Sequence, residues 1–257
     1  MILRPLELPA PASQEFLPAW ETVQPIQAQI YKSCWMITQP SHAVLAGELA
    51  ANLDAAQFPV ADKDLLQAIS LHDSGWGVPD AQAIMRSRSV QQHPPQSFLA
   101  MDVPQFLEAW EKSIEMGETV SAAGGYVVSR HFWRLAEHRA GVEESKPDQQ
   151  RLELFLKKEE QRQKKLAVRQ SLSIQQLEQL TDFLQFCDLL SLYLCCGTEQ
   201  NVVFPRYFGT ELQATKHQET YKLDPPLIRS GVTFSVAALR HPATKTESSK
   251  QIQIKIE

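Results

Sequence analysis

Between Phe183 and Cys196 the chain reads Phe-Leu-Gln-Phe-Cys-Asp-Leu-Leu-Ser-Leu-Tyr-Leu-Cys-Cys, an apolar run holding one charge, Asp188. At helical spacing Leu184, Asp188, Leu192 and Cys195 share a face, so a helix over 174–196, stopped by Gly197, aims a carboxylate at the core. An ionised carboxylate buried without a cation or a full set of donors costs several kcal/mol. The same anomaly, a polar residue on an apolar stripe, recurs at His42, at the pair His72-Asp73 and at His131. Four such positions on separate predicted helices point to a metal site between them.

The rest of the pattern supplies those helices. Tyr31 to Thr38 reads as a strand, and Gln39-Pro40-Ser41 opens a helix to about Leu53, with Ser41 as its cap and His42, Leu45, Ala46 and Leu49 on its stripe. Asp62 caps a second helix that carries Leu65, Ile69 and His72 and ends near Gly75. Residues 75–104 show little periodicity and read as a long turn-rich loop bordering the site as a lid, with Phe98 or His93 at the opening. Helices follow over 104–116 and 118–139; the second sets Val128, His131, Leu135 and His138 along one face, and its Gly124-Gly125 allows close packing or a kink. From 141 to 170 both charge signs mix over a thin apolar stripe, the mark of a solvated helix. The period then shortens: Thr220–Leu223, Val232–Leu239 and Gln251–Ile256 read as strands. The expected fold is mainly α, a helical bundle with a small C-terminal β appendage. Its divisions are an N-terminal extension over 1–35, the helical domain over 36–205 and the β-rich appendage over 206–257.

Composition narrows the function classes. A chain of 257 residues with a net charge of −5 is no bulk electrostatic partner for nucleic acid. No run reaches about 18 apolar residues, which excludes a membrane helix, and the start Met-Ile-Leu-Arg-Pro-Leu-Glu lacks the plan of a signal peptide. Cys34, Cys187, Cys195 and Cys196 fit no zinc-finger spacing and read as reduced core residues of a cytoplasmic protein.

His42, His72, Asp73 and Asp188 offer two imidazoles and two carboxylates, a donor set for a divalent ion that leaves positions open for water or substrate. Each also has a plain structural alternative: His42 as a satisfied core histidine, Asp73 as a helix-end residue, Asp188 as the partner of Arg130. Asp73 at a helix C-terminus opposes the macrodipole, which weighs against a purely structural role. His131 is divided between a ligand or substrate contact and core packing.

The order His42, then His72-Asp73, then a distant Asp188 resembles the pattern of the HD superfamily of metal-dependent phosphohydrolases. Gln39-Pro-Ser-His42, Leu71-His-Asp-Ser-Gly-Trp76, Ser97-Phe-Leu-Ala-Met-Asp102 and Val128-Ser-Arg-His-Phe132 are similar to a bacterial family of unknown function with an HD-like core, common in cyanobacteria. The resemblance spans about residues 36–205. It implies an HD-like helical core with one divalent ion (Mn, Fe, Ni, Zn or Mg) per chain on His42, His72, Asp73 and Asp188. It makes His131 an extra ligand or a substrate contact.

Three functions compete on these residues. In the first, a metal-dependent hydrolase acts on a small phosphorylated substrate, with Asp73 orienting the water and His131 or Arg130 meeting the charged group. In the second, two irons and dioxygen oxidise a small hydroxylated substrate. In the third, a non-catalytic protein keeps the metal or the buried polar cluster for structure or for binding a ligand. The expected partner is a small molecule rather than nucleic acid or membrane, and a homo-oligomer is left open.

Overall fold

In the computed structural model, which describes residues 1–7, 14–53, 58–88, 93–143, 145–209, 211–228 and 231–257, strand β1 (Ile2–Pro5) comes first. It is followed by the two-residue strand β2 (Leu17–Pro18), helix α1 (Ala19–Gln27) and strand β3 (Cys34–Ile37). Helices α2 (Gln39–Asn52), α3 (Lys63–Ser70) and α4 (Gly77–Ser87) come next. Then come the longer helices α5 (Val103–Val120), α6 (Ala122–Ala140), α7 (Lys146–Ala167) and α8 (Ile174–Cys196). The chain closes with β4 (Val202–Val203), β5 (Gln213–His217), β6 (Thr220–Asp224), β7 (Val232–His241) and β8 (Ser249–Ile256).

The expected helical bundle with a small β appendage is corrected by the sheet. All eight strands join in one mixed sheet, ordered β1-β3-β7-β8-β6-β5-β4-β2 and curled into a half-barrel. The pairs β6–β8 and β2–β4 are parallel and the others antiparallel. N-terminal β1 and β3 join C-terminal β7 through pairs such as Ile2↔Ile37 and Met36↔Leu239. Local pattern could not announce this. β2 and β4 have two residues each, and β5 (Gln-Ala-Thr-Lys-His) has little β-branched content. β6, β7 and β8 alternate, burying Tyr221 and Leu223 on the first and Phe234, Val236 and Ala238 beside Ile252, Ile254 and Ile256 on the other two. Both faces of β1 and β3 are covered: Ile2, Trp35 and Ile37 join the main core, while Leu3, Cys34 and Met36 meet Ala83 of α4.

The helices were closer to expectation. α8 is buried nearly all round and lies against α1, α2, α6 and β1, as a central apolar helix should. Its capping box runs between Ser173 and Gln176. α2 begins three residues earlier than a Ser41 cap would give, because Thr38 is the cap: Thr38 Oγ1 accepts from Ser41 N at 3.2 Å, and Pro40 sits in the first turn, where its missing N–H costs nothing. The expected loop over 75–104 is in large part ordered, holding α4 between 3₁₀ turns at Ser74–Trp76 and Phe98–Ala100; its residues 89–92 lie outside the described residues. Among the described residues no helix is long and apolar enough to cross a membrane.

Candidate metal centre

Each ligand candidate is delivered by a well-determined piece of chain. β3 runs into the Thr38 cap, and the backbone N–H of Gln39 donates to buried Asp80 at 2.6 Å, which pins the first turn of α2 and with it His42. α3, capped by Asp62 at 2.8 Å, ends at Ser70, and the turn that follows carries His72 and Asp73. On a continuing helix these neighbours would diverge by about 100°; the turn lets both face inward. That turn presses against α5 at Gly75, where a Cβ would stand 2.0 Å from the carbonyl oxygen of Ala109. α6 approaches α3 through Gly124, where a Cβ would lie 2.7 Å from Ala68, and this brings His131 to His72 with ring centroids 5.7 Å apart. α8 contributes Asp188 and Ser191.

Four side chains meet. His42, His72, Asp73 and Asp188 each offer one ligand atom, all within 4.8 Å of one another, in a buried cluster that could hold a metal ion. His42 Nε2 is 2.8 Å from Asp73 Oδ2 and 3.6 Å from Asp188 Oδ1. His72 Nε2 is 3.3 Å from Asp188 Oδ1 and 3.8 Å from Asp73 Oδ2. Donors bonded to one ion at about 2.0–2.2 Å stand about 3–3.5 Å apart, so the arrangement is the size of a coordination shell.

The outer hydrogen bonds hold both rings from behind. Ser191 Oγ donates to the Asp188 carbonyl at 2.9 Å, so at 2.7 Å from His42 Nδ1 it accepts, and the ring proton of His42 sits on Nδ1. His72 Nδ1 donates to the Ile69 carbonyl at 2.7 Å. Both Nε2 atoms therefore face carboxylate oxygens. Two lone pairs 2.8 Å apart repel unless a proton or a metal ion joins them. Pinning imidazoles from behind is the usual support for metal-binding histidines.

The charges respond accordingly. Burial pulls the His72 imidazole down, but Asp73 and Asp188 outweigh it and raise its pKa to about 9. Burial pushes Asp188 up, and His72 with the other histidines overrides this, holding it well below the usual carboxylate range. The site is seeking positive charge. His131 differs: burial lowers it to about 4 against the pull of Asp188, so it is a neutral imidazole near pH 7. Its Nε2 lies 3.8 Å from Asp188 Oδ2, beside the four-residue cluster rather than in it, and its buried Nδ1 has no partner among the described residues.

Arg130 goes elsewhere. It pairs with Glu178 at 3.0 Å, stacks on Trp133 at 4.4 Å and does not line the site, so it meets neither Asp188 nor a group bound there. Its helical neighbour Arg134 pairs with Glu178 at 2.8 Å and Asp182 at 2.6 Å.

A cavity of about 480 Å³ opens over His42, Asp73, His131 and Asp188. Its wall is aromatic: Trp76 packs edge-on to Phe106 at 5.0 Å, Phe106 meets Trp110 at 5.4 Å, and Trp110 stacks on Phe132 at 5.2 Å. Phe98 lines the opening, as the sequence predicts of that segment, whereas His93 does not border the cavity. Sequence reading passed over Trp20, Gln39, Gln185, Tyr207 and the cavity-facing Arg139. Tyr207, raised by burial and then by Asp188, opens a short 3₁₀ turn, too brief for any periodicity to flag it.

No curated protein and no solved structure matches the chain. The family model DUF3891, described as a protein of unknown function, matches residues 26–239, which takes in every residue of the cluster and most of the sheet. On that match the chain belongs to the DUF3891 family.

Proposed function

We propose that this protein is a metal-dependent hydrolase that holds one divalent ion on His42, His72, Asp73 and Asp188 and cleaves a phosphate ester of a small molecule. One observation carries the reading: two imidazoles and two carboxylates converge in a buried site, with both Nδ1 atoms bonded outward and both Nε2 atoms turned to the carboxylates, a donor set that a divalent ion fits. Two carboxylates and two neutral imidazoles sum to two negative charges, which a divalent ion balances. The order His42, His72-Asp73, Asp188 is that of the HD phosphohydrolases, and the phosphate ester as substrate class rests on that resemblance.

When bound, such an ion lowers the pKa of a water and polarises a phosphoryl oxygen. The protein's own part is placement. Asp73 and Asp188 border the cavity floor, where Asp73 is positioned to orient the attacking water. His131, kept neutral by burial, can accept a proton or donate a hydrogen bond at that floor. The aromatic wall excludes bulk water and strengthens the electrostatics beneath it.

Elemental analysis of purified protein, followed by nitrophenyl phosphate turnover with and without added Mn²⁺, tests the reading. One ion per chain and ion-dependent turnover abolished by Asp73→Asn are expected; a protein free of divalent ions that gains no turnover when they are added overturns it. A second reading, oxidation at a pair of irons, draws on a single contact, His131 Nε2 at 3.8 Å from the second oxygen of Asp188. Two irons per chain would select it. A bound ion without any turnover would leave a non-catalytic metal protein.

A further inference from the structure

Helix α6 carries three arginines that behave differently. Arg130 and Arg134 face carboxylates at ion-pair distance, Glu178 for both and Asp182 for the second. Arg139 has no such partner among the described residues; Glu143, Asp148 and Asp102 act on it only from beyond ion-pair distance. Its guanidinium lies 4.3 Å above the Phe106 ring, on the cavity wall. A half-buried cation with no carboxylate at ion-pair distance among the described residues, set on an aromatic stretch of the cavity wall, is a place for an anion.

The other end of the pocket is the metal floor. His131 and Arg139 are eight residues apart on one helix, so about 12 Å of helix axis separates them. Between them the wall consists of Phe106, Trp110, Phe132 and Leu135, and at the mouth Trp20, Leu135 and Val142 are 36%, 38% and 69% exposed. Apolar side chains left open at a cavity mouth suit a ligand whose own surface is apolar. Among the lining residues no lysine and no other arginine competes for an anionic group; His138 at the same rim adds at most a second donor.

We infer that the cavity takes an amphiphile: an apolar, aromatic or alkyl body lying along the α6–α5 wall, with an acid group held at the rim by Arg139 and the opposite end at the metal floor. Arg139 is then a specificity-determining residue, distinct from the cluster, and the substrate carries its recognition charge about two helical turns from the bond that reacts. What happens at the floor rests on the metal-hydrolase reading; anchoring at Arg139 does not.

Fluorescence titration of the full-length protein with anilinonaphthalene sulfonate and with its uncharged parent phenylnaphthylamine tests this, with metal content measured on the same samples. Arg139→Gln should weaken the sulfonate about tenfold and leave the neutral probe unchanged; Arg139→Lys should keep most of the affinity. Arg139→Glu should weaken the sulfonate further. Arg206→Gln, an equal change of net charge at a residue outside the cavity, should do nothing. Sulfonate affinity unmoved by Arg139→Gln, or both probes weakened equally with the circular dichroism intact, overturns the proposal. A protein without metal that still shows the Arg139-dependent difference would remove the hydrolase reading and leave the anchor standing.

Discussion

Two polar clusters bridge α6 and α8, and they are built on opposite rules. In one, Arg130 and Arg134 face Glu178, Asp182 and Gln185, with every charge answered by another side chain at 3.0 Å or less. In the other, His131 and Asp188 join His42, His72 and Asp73, and two carboxylates are shared among inward-turned imidazoles with no arginine or lysine beside them. The first cluster is a third or less exposed, where paired charges add modestly to stability. The second is almost dry, where an unanswered charge is expensive. One stretch of α6 and α8 thus meets its carboxylates with permanent cations, and the next meets them with imidazoles, which can give up their protons to a metal ion.

The sharpest way to break the comparison is Asp188→Ala. We expect the ion content to fall from one per chain to none, and the chain to lose the roughly 3 kcal/mol that an ion at about 100 times its Kd supplies. Elemental analysis and thermal melts with and without chelator read both. If Asp188→Ala melts like the wild type and the wild type ignores chelator, the two clusters do not differ in the way described.

Gly75→Ala tests the placement of the His72-Asp73 turn. Its Cβ would meet Ala109 O at 2.0 Å and Lys112 Cβ at 2.9 Å, and the obstacle is backbone that cannot swing away. A loss of about 3 kcal/mol is expected from overpacking, read by urea unfolding; a change under about 0.5 kcal/mol would mean that the turn floats free of α5. Ser191→Ala is gentler. It removes the acceptor behind His42 Nδ1, frees that ring to take the other tautomer, and should weaken metal affinity about tenfold with little change in fold.

The smallest effect belongs to the paired cluster. Glu178→Ala strips the shared partner from Arg130 and Arg134 and should cost about 1–2 kcal/mol while leaving metal content unchanged. Burial pushes the Glu178 carboxyl up, but Arg134 and Arg130 hold it below its ordinary value. Its stabilisation is therefore fully present above pH about 4.5 and is lost as the pH falls through the lower folded value. The stability gap between wild type and Glu178→Ala should narrow in that acid window and be flat between pH 6 and 8. A gap that widens on acidification would reverse the assignment.

How much of this could be read from the chain differs by residue. Asp188 stood out because a charge inside Phe183–Cys196 violates a strong pattern, and His42 and His72 were exposed by the same logic. Arg130 misled, since a cation one residue before His131 looks close to the site; on a helix that single step turns it about 100° away, onto Glu178. Arg139 and Tyr207 broke no pattern: one sits among ordinary charges at a helix end, the other in a single 3₁₀ turn. The sheet was missed for a related reason. Tyr31 to Thr38 reads as a strand, but nothing local ties β3 to its partner β7, about two hundred positions away, and the four residues of β1 are too few to show alternation.

By itself the sequence determined the long helices and the residue types of the buried cluster, because periodicity and the cost of burying charge are local and act whatever the rest of the chain does. Tertiary structure alone decided which histidine nitrogen faces inward, which arginine stays unpaired and how two ends of the chain share one sheet. Those outcomes depend on contacts between segments far apart in sequence, where a displacement of an ångström separates a coordination shell from a set of ordinary core histidines.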